Sequence, residues 1–300
     1  MIRVKNQKVL CLGEVLWDML PSGPVAGGAP MNVAIHLKKF GLDVSMASNV
    51  GEDQSGKALV DFIEQAGLGL ELIQHDAVLP TSKVLVHLDQ NNNATYEICH
   101  PVAWDNIQLT NQLKASGVEA GLIIFGTLAS RDAETRKTVL DLLENNCLKL
   151  VDINLRQPYD QKDVVETMLH KADIAKLNDE ELVVISQWHN KHKHDEKSII
   201  SWLAETYQLE TIVVTRGDKG AIAYHQNKFY DHPGYVVSAV DTVGSGDAFL
   251  AGFVASLFED KPIPDALAFA CATGALVATK RGGTPLYETS EIYDIMQCKK

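Results

Sequence analysis

Three hundred residues, 46% of them hydrophobic, are enough for one large α/β domain with a full core. A formal net charge of −12 argues against nucleic acid or an anionic membrane surface as a partner, and any phosphate site must be built locally against that field. No secretory apolar segment follows Met1 and no apolar run reaches membrane-span length; the five scattered cysteines (Cys11, Cys99, Cys147, Cys271, Cys298) read as reduced thiols, so a cytoplasmic setting is expected.

Lys8–Val15 reads as a buried strand that Leu16–Leu20 continues, Pro21–Gly28 as a Gly/Pro-rich loop, and Met31–Phe40 as a helix stopped at Gly41. Asp18, Gly27, Gly28 and Asn32 thereby gather where a strand end meets a helix start, the usual ligand position in an α/β sheet. Asn32 in an apolar helix needs partners, and sugar hydroxyls would satisfy both its donor and its acceptor. A local cap for Asn32 and a solvated loop acid for Asp18 are the plainer alternatives. Val44–Asn49 and Ser55–Gln65 give a strand and a helix. Gly51–Ala58 between them falls short of a P-loop, because Ala58 has no hydroxyl for Mg²⁺ and Glu52 and Asp53 would face the phosphates.

Ser82–Asp89 and Ala94–His100 read as a hairpin turning at Gln90–Asn93. With Leu16–Leu20 they interrupt an otherwise alternating pattern. A small projecting β-sheet lid, formed by about residues 16–24 and 82–104 of a single domain over 1–300, is therefore expected. Trp104 and Asp105 follow the hairpin; Trp104 either faces the site or packs the joint.

From Leu122 onward strands and helices alternate: Leu122–Phe125, Ala133–Glu144, Leu148–Ile153, Asp163–His170, Ile174–Leu177, Asp179–Ser186, Glu196–Tyr207, Thr211–Thr215. The alternation predicts a mostly parallel central sheet covered by helices on both faces, with sites at the carboxyl ends of the strands. Polar groups recur there: Asp152, Asn154 and Arg156 after one strand, Asn178 and Glu181 after another, Thr215, Gly217 and Gly220 after a third. His189, His192 and His194 have no cysteine and no helical i, i+4 pair among them, and read as a solvated connector rather than a metal site.

Tyr235–Val237 reads as a short strand and Ala248–Leu257 as a buried helix, which puts Gly244, Ser245 and Gly246 in the turn that opens the helix. Unpaired N–H groups and the positive dipole end suit an anion there, and glycines let it approach the bare backbone. Asp247 would repel that anion as a binding group. It makes sense as a base for an attacking hydroxyl, or, more plainly, as a helix-start acid favoured by the dipole. Ile263–Thr279 is a long apolar helix whose small residues Ala270, Ala272, Gly274 and Ala275 would admit a flat ring or close helix packing. It ends at Lys280-Arg281-Gly282-Gly283.

Gly27–Ala34 through Val50–Asp53, Asn178-Asp179-Glu180-Glu181, Thr215–Gly220 and Asp241–Phe249, in that order, resemble the motifs of the ribokinase-like (PfkB) family of carbohydrate kinases, nearly end to end. Gly13–Pro21, Gly27–Pro30 and Ala103–Asp105 are most similar to bacterial fructokinases. The resemblance implies transfer of the γ-phosphoryl group of ATP to the 6-hydroxyl of a keto-sugar. By it, Asp247 would be the base and Gly244, Ser245 and Gly246 the anion hole. Asp18, Gly28 and Asn32 would hold sugar hydroxyls, with Trp104 beside them, and Arg156 would reach the sugar or the transferring phosphate. Asn178 and Glu181 would organise Mg²⁺ through water. Thr215, Gly217 and Gly220 would line the nucleotide site and Ala272 would border adenine. Asp241, Val243, Arg281 and Gly283 resemble a monovalent-cation site, with K⁺ as a candidate activator. Two lids would pair in a homodimer. Rival readings are a kinase for 2-keto-3-deoxygluconate (Tyr96 and Arg156 suit a ketoacid), ribose or a nucleoside, an inactive sugar- or nucleotide-sensing protein, and a dehydrogenase; no G-x-G-x-x-G follows the first strand.

Overall fold

The structure, a computed structural model, describes residues 4, 6–88 and 94–297. The expected turn at Gln90–Asn93 and Cys298 lie outside the described residues, as does the side chain of Tyr96. In chain order the strands and helices are β1 (Lys8–Leu12), β2 (Leu16–Leu20), β3 (Gly23–Gly27), α1 (Ala29–Lys39), β4 (Asp43–Gly51), α2 (Gln54–Gln65), β5 (Ile73–Asp76), β6 (Lys83–Leu88) and β7 (Ala94–Ile98). There follow α3 (Asn111–Glu119), β8 (Leu122–Gly126), α4 (Ala133–Leu142), β9 (Leu148–Asp152), α5 (Lys162–Lys171), β10 (Ile174–Asn178), α6 (Asp179–Trp188), α7 (Glu196–Tyr207) and β11 (Thr211–Thr215). Last come β12 (Ala221–His225), β13 (Lys228–His232), α8 (Ser245–Phe258), α9 (Ile263–Ala278) and α10 (Thr289–Gln297).

The central sheet has the order β13-β12-β11-β10-β9-β8-β1-β4-β5, parallel from β11 to β5 and antiparallel at β12 and β13. Its inner strands are apolar runs buried on both sides, as parallel strands under helices must be; Leu122–Gly126 is buried throughout. Alternate residues of β1 feed opposite layers. Val9 and Cys11 join α1, α2, α8 and α9, whereas Leu10 and Leu12 join the core under α3, α4, α5 and α7. The expected α/β architecture is therefore found. The second sheet, in the order β3-β2-β6-β7, stands apart from it, antiparallel except for the parallel β2–β6 pairing.

Local chemistry explains the helix starts. Asp53 Oδ1 accepts from Gly56 N at 2.7 Å to cap α2, and Asp195 accepts from Ser198 N at 3.1 Å to cap α7. Three expectations are corrected. The first strand stops at Leu12 rather than running to Val15. Residues Gly23–Gly27, expected as loop, pair with β2; β3 is the edge of its sheet, where Pro24 removes no needed ladder bond. Tyr235–Val237 pairs with no strand. The sheet ends instead in the β12–β13 hairpin, turned by Gln226 and Asn227 at φ +49° and +60°.

Candidate active site

The sheet changes winding direction at β1, which has β4 on one side and β8 on the other. The crevice beyond the carboxyl ends of β1, β8 and β9 is thus a topological switch point, where ligands of open α/β sheets bind. Two helix starts enter it. Gly28, at φ +118°, precedes α1, and a Cβ there would lie 2.3 Å from Glu14 O. Gly244, at φ +74°, precedes α8, and a Cβ there would lie 2.4 Å from the Cα of Gly283. Both positions need glycine for conformation and for space.

Residues Ala248–Leu257 of α8 are buried all round, which fixes the helix in the core and leaves its start facing the crevice. Gly244 O accepts from Ala248 N at 2.8 Å, closing the first turn. Ser245 Oγ is buried and has no hydrogen-bond partner among the described residues, so a polar group waits in the cradle beside the first-turn amides. Asp247 Oδ2 accepts from Asn32 Nδ2 at 2.8 Å, which ties α8 to α1. The other end of that amide, Asn32 Oδ1, is likewise buried without a partner among the described residues.

The cluster is electrostatically tense. Asp247 is partly open to the crevice, yet burial pushes its carboxyl up to about 6; nearby Asp152 adds to the rise, while Lys176, Asn32 and Arg156 oppose it. Glu14, 3% exposed and with Oε2 unpartnered among the described residues, is pushed up to about 7 by burial. Asp18, on β2, is raised by burial and held back by Arg156. Its Oδ2 lies 2.6 Å from where a Cβ on Gly27 would be, so that glycine makes room for the carboxylate. Arg156 is exposed and donates to its own neighbour's carbonyl, Leu155 O, at 2.9 Å.

On the far side of the cradle opens a cavity of about 720 Å³. Asn178, Thr215, Gly217, Gly220, Ser245 and Gly246 all line it. At Gly220, φ +81°, a Cβ would lie 2.0 Å from His232 O, so the β13 exit can close one wall only against bare backbone. The opposite wall is Cys271, Gly274, Ala275 and Ala278 of α9, with Tyr235–Val237 beside it. Ala272 does not line this cavity; it is fully buried among Phe269, Leu276 and Ile292 on another side of α9. Trp104, expected beside the sugar residues, is 0% exposed, with the Arg131 guanidinium 4.0 Å over its ring; it packs the core.

Asn178 and Glu181 form a reciprocal cap of α6: Asn178 Oδ1 accepts from Glu181 N, and Glu181 Oε2 accepts from Asn178 N, both at 2.8 Å. Glu181 Oε1 accepts from Leu155 N at 2.8 Å, and the residue is 5% exposed, so its two oxygens hold backbone while Asn178 borders the cavity. Asp241 likewise accepts from Val243 N and Gly282 N, each at 3.0 Å, tying the 241–243 and 281–283 segments together, with Arg281 exposed at the edge. The carbonyl of Gly283 points the other way, to His36 Nε2 at 2.9 Å. His192 and His194 are exposed and His189 pairs with Glu166. His100, Asp105 and Asp132 also converge, but Arg131 already neutralises Asp105 through bonds of 2.7 and 2.8 Å.

Composition alone hides Glu14 and Lys176, ionisable residues in or beside apolar strands. The signal that could have found them is the anomaly itself, a charge where the period demands an apolar side chain.

Residues 24–290 match the model of the pfkB family carbohydrate kinases. The chain is 30% identical to the fructokinase of Salmonella typhimurium, over 92% of this chain and 95% of that one. Among solved structures, the fructokinase of Xylella fastidiosa with bound ATP superposes at a TM-score of 0.86 with 24% identity, covering 97% of this chain and 98% of that one. The fructokinase of Vibrio cholerae in its fructose-, ADP- and calcium-bound form superposes at 0.82 with 22% identity, over 97% and 99%. No helix among the described residues is long and apolar enough to cross a membrane.

Proposed function

This chain belongs to the pfkB family of carbohydrate kinases, and from that premise we propose that it phosphorylates fructose on its 6-hydroxyl with ATP. That it is a sugar kinase follows from the family; the acceptor and the roles of individual residues are proposed. The observation that carries it is the position of Asp247: inside an anion cradle, bonded to Asn32 on the α1 side, with a nucleotide-sized cavity on the other.

In this reading the sugar lies against Asp18, Gly28 and Asn32, and the unpartnered Asn32 Oδ1 takes one of its hydroxyls. Arg156 sits close enough to influence Asp18 and Asp247, and would contact the sugar or the phosphoryl group in transit. ATP occupies the cavity with its base against Cys271, Gly274, Ala275 and Ala278, in place of Ala272, and its phosphates toward Ser245 and Gly246. Ionised Asp247 takes the hydroxyl proton as the sugar oxygen bonds to the γ-phosphorus and the bond to the bridging oxygen of ADP breaks. The first-turn amides of α8 and Ser245 Oγ receive the charge on the transferring group.

Mg²⁺ would neutralise phosphate charge. Asn178 borders the cavity and fits a water-mediated contact to it; Glu181, whose oxygens hold backbone, would act by fixing Asn178. Asp241 with carbonyls near Val243 would supply oxygen donors of the kind a K⁺ ion takes, with Arg281 flanking them; the Gly283 carbonyl, turned to His36, would not be among them. The β3-β2-β6-β7 sheet, carrying Asp18, would be a lid that excludes water as acceptor, and its partly exposed register partners Met19 and Leu85, on one face, support pairing of two lids in a homodimer.

The test is ADP release with a panel of fructose, 2-keto-3-deoxygluconate, ribose and a nucleoside, with and without K⁺, the phosphorylated position being read by NMR. Fructose should give the highest kcat/KM, with phosphate on the 6-oxygen. A tenfold better rival acceptor would overturn the fructose assignment, and ADP release with none would overturn the kinase mechanism on these residues.

A further inference from the structure

Directly behind the anion cradle stands a buried cation. Lys176, near the carboxyl end of β10, has a side chain 7% exposed, and its Nζ lies 2.9 and 3.2 Å from the two carboxylate oxygens of Asp152, itself 6% exposed. The two residues are register partners on neighbouring parallel strands, so the sheet sets their approach. A Cβ placed on Gly246 would meet Lys176 Nζ at 3.4 Å, which puts the ammonium against the second glycine of the turn that carries Asp247.

Stability does not explain the pair. Its neighbours on β10, Ile174, Ala175 and Leu177, are fully buried and apolar, and a buried ion pair is often no more stabilising than apolar side chains of the same volume. Its location is the informative part. The charged groups facing Asp247 are Asp152 from β9, Glu14 from beyond β1, Arg156 from the segment after β9 and Lys176 from β10, while α1 presents the neutral Asn32 amide. Three carboxyls thus crowd one crevice, against one exposed guanidinium and one buried ammonium.

We propose that Lys176, held in place by Asp152, is a positioning residue for the phosphoryl-transfer base: its fixed charge behind Gly246 keeps Asp247 ionised, and Asp152 limits how much of that charge Asp247 receives. The inference rests on the reading of Asp247 as the base. The direction of each influence agrees with it. Asp152 raises the Asp247 carboxyl and Lys176 lowers it. Burial works against the charge of Lys176, but Asp152, Glu181 and Asp247 outweigh burial and hold the ammonium above the ordinary lysine range, so it stays a cation.

The pair makes an antisymmetric prediction. In Lys176→Met the acid limb of the kcat/KM profile should move up by about one pH unit or more, as for loss of an opposite charge within a few ångströms. With the wild-type carboxyl at about 6, a rise of about one unit should lower turnover at pH 7 about twofold and a rise of about two units about tenfold, with recovery near pH 9. In Asp152→Asn the limb should move down. The double variant should return close to wild type, and Lys176→Arg should restore the limb. A merely structural pair would lower activity at every pH and move neither limb. Limbs that stay put in both single variants, or move in the same direction, overturn the proposal. If Lys176→Met does not fold, a downward shift in Asp152→Asn supports the proposal, and an unmoved or raised limb in that variant overturns it. Titration of ¹³C-labelled carboxyls in the substrate-free protein, with the Asp247 signal assigned by its loss in Asp247→Asn, separates this inference from its premise. Carboxyl shifts in the stated directions without matching kinetic limbs would leave the pair's influence standing and remove Asp247 from the base role.

Discussion

Replacing Asp247 by asparagine should make the protein more stable and nearly inactive. The carboxyl rises from an ordinary 3.8 to about 6 because it is largely enclosed, so the folded state holds its proton more tightly than the unfolded chain does. The sign follows directly: the benefit of the protonated carboxyl is complete below the unfolded value of 3.8 and is lost as pH rises through about 6. Near pH 7.5 the folded protein therefore carries the full penalty of an ionised, crowded carboxylate. At ~1.36 kcal/mol per pH unit the rise from 3.8 to about 6 makes about 3 kcal/mol, and because Asp247 is partly open to the crevice this is a ceiling. Asparagine keeps the shape and can still accept from Asn32 Nδ2. A gain of roughly 1–3 kcal/mol is expected, on the order of 1 M in a urea midpoint, shrinking by about half near pH 5. Meanwhile kcat should fall by at least ~10²-fold with modest change in KM, the low end for loss of a general base. The assay pairs urea unfolding at the two pH values with steady-state ADP release. Normal turnover together with an unchanged midpoint would refute both the enclosure and the base role.

Other expectations follow from single contacts. Asn32→Ala and Asp18→Ala should weaken sugar binding by roughly 1–3 kcal/mol each, as for lost polar contacts, and an unchanged sugar KM would place the acceptor elsewhere. Ala275→Leu puts a larger side chain into the wall of the 720 Å³ cavity and should weaken ADP about tenfold or more by calorimetry, while the sugar KM stays within about twofold. Arg131→Met leaves Asp105 as an unpaired buried charge, so stability should drop by about 3–5 kcal/mol; Asp105→Asn in the same chain should recover part of it.

Much of this site could be read from residue order, because it is built where local signals are strong. Gly244–Asp247 and Gly28–Asn32 are helix starts, and a helix start is announced by its glycines and by the apolar run behind it. The strand-end groups Asn178, Thr215 and Gly220 were equally visible, since alternating elements fix which edge they share. What could not be read depends on partners far along the chain or on rotation about an axis. Trp104 looks like a ligand-facing aromatic until Arg131, brought over it by the fold, covers its ring. That Ala272 is covered while Gly274 and Ala275 line the cavity is not legible, because α9 is apolar on every side and such a helix carries no polar stripe to mark which face is open. Residues Gly23–Gly27 read as loop because glycine and proline say nothing of backbone pairing on an edge. Tyr235–Val237 has strand composition, but the β12–β13 hairpin takes the sheet edge and leaves it free to wall the cavity.

Gly283 touches both halves of the crevice. A Cβ on it would fall 3.0 Å from Asn32 Nδ2, its Cα blocks any side chain at Gly244, and its carbonyl meets His36 on the same helix as Asn32. In the proposed reading the acceptor lies on the Asn32 side of this backbone contact and the nucleotide beyond the Gly244 turn, so a shift made for one would be felt by the other. Reciprocity of linked equilibria would then apply: whatever factor the sugar imposes on nucleotide affinity, the nucleotide would impose on sugar affinity. Such a linkage would run through the Gly283 main chain, outside the side chains that line either pocket.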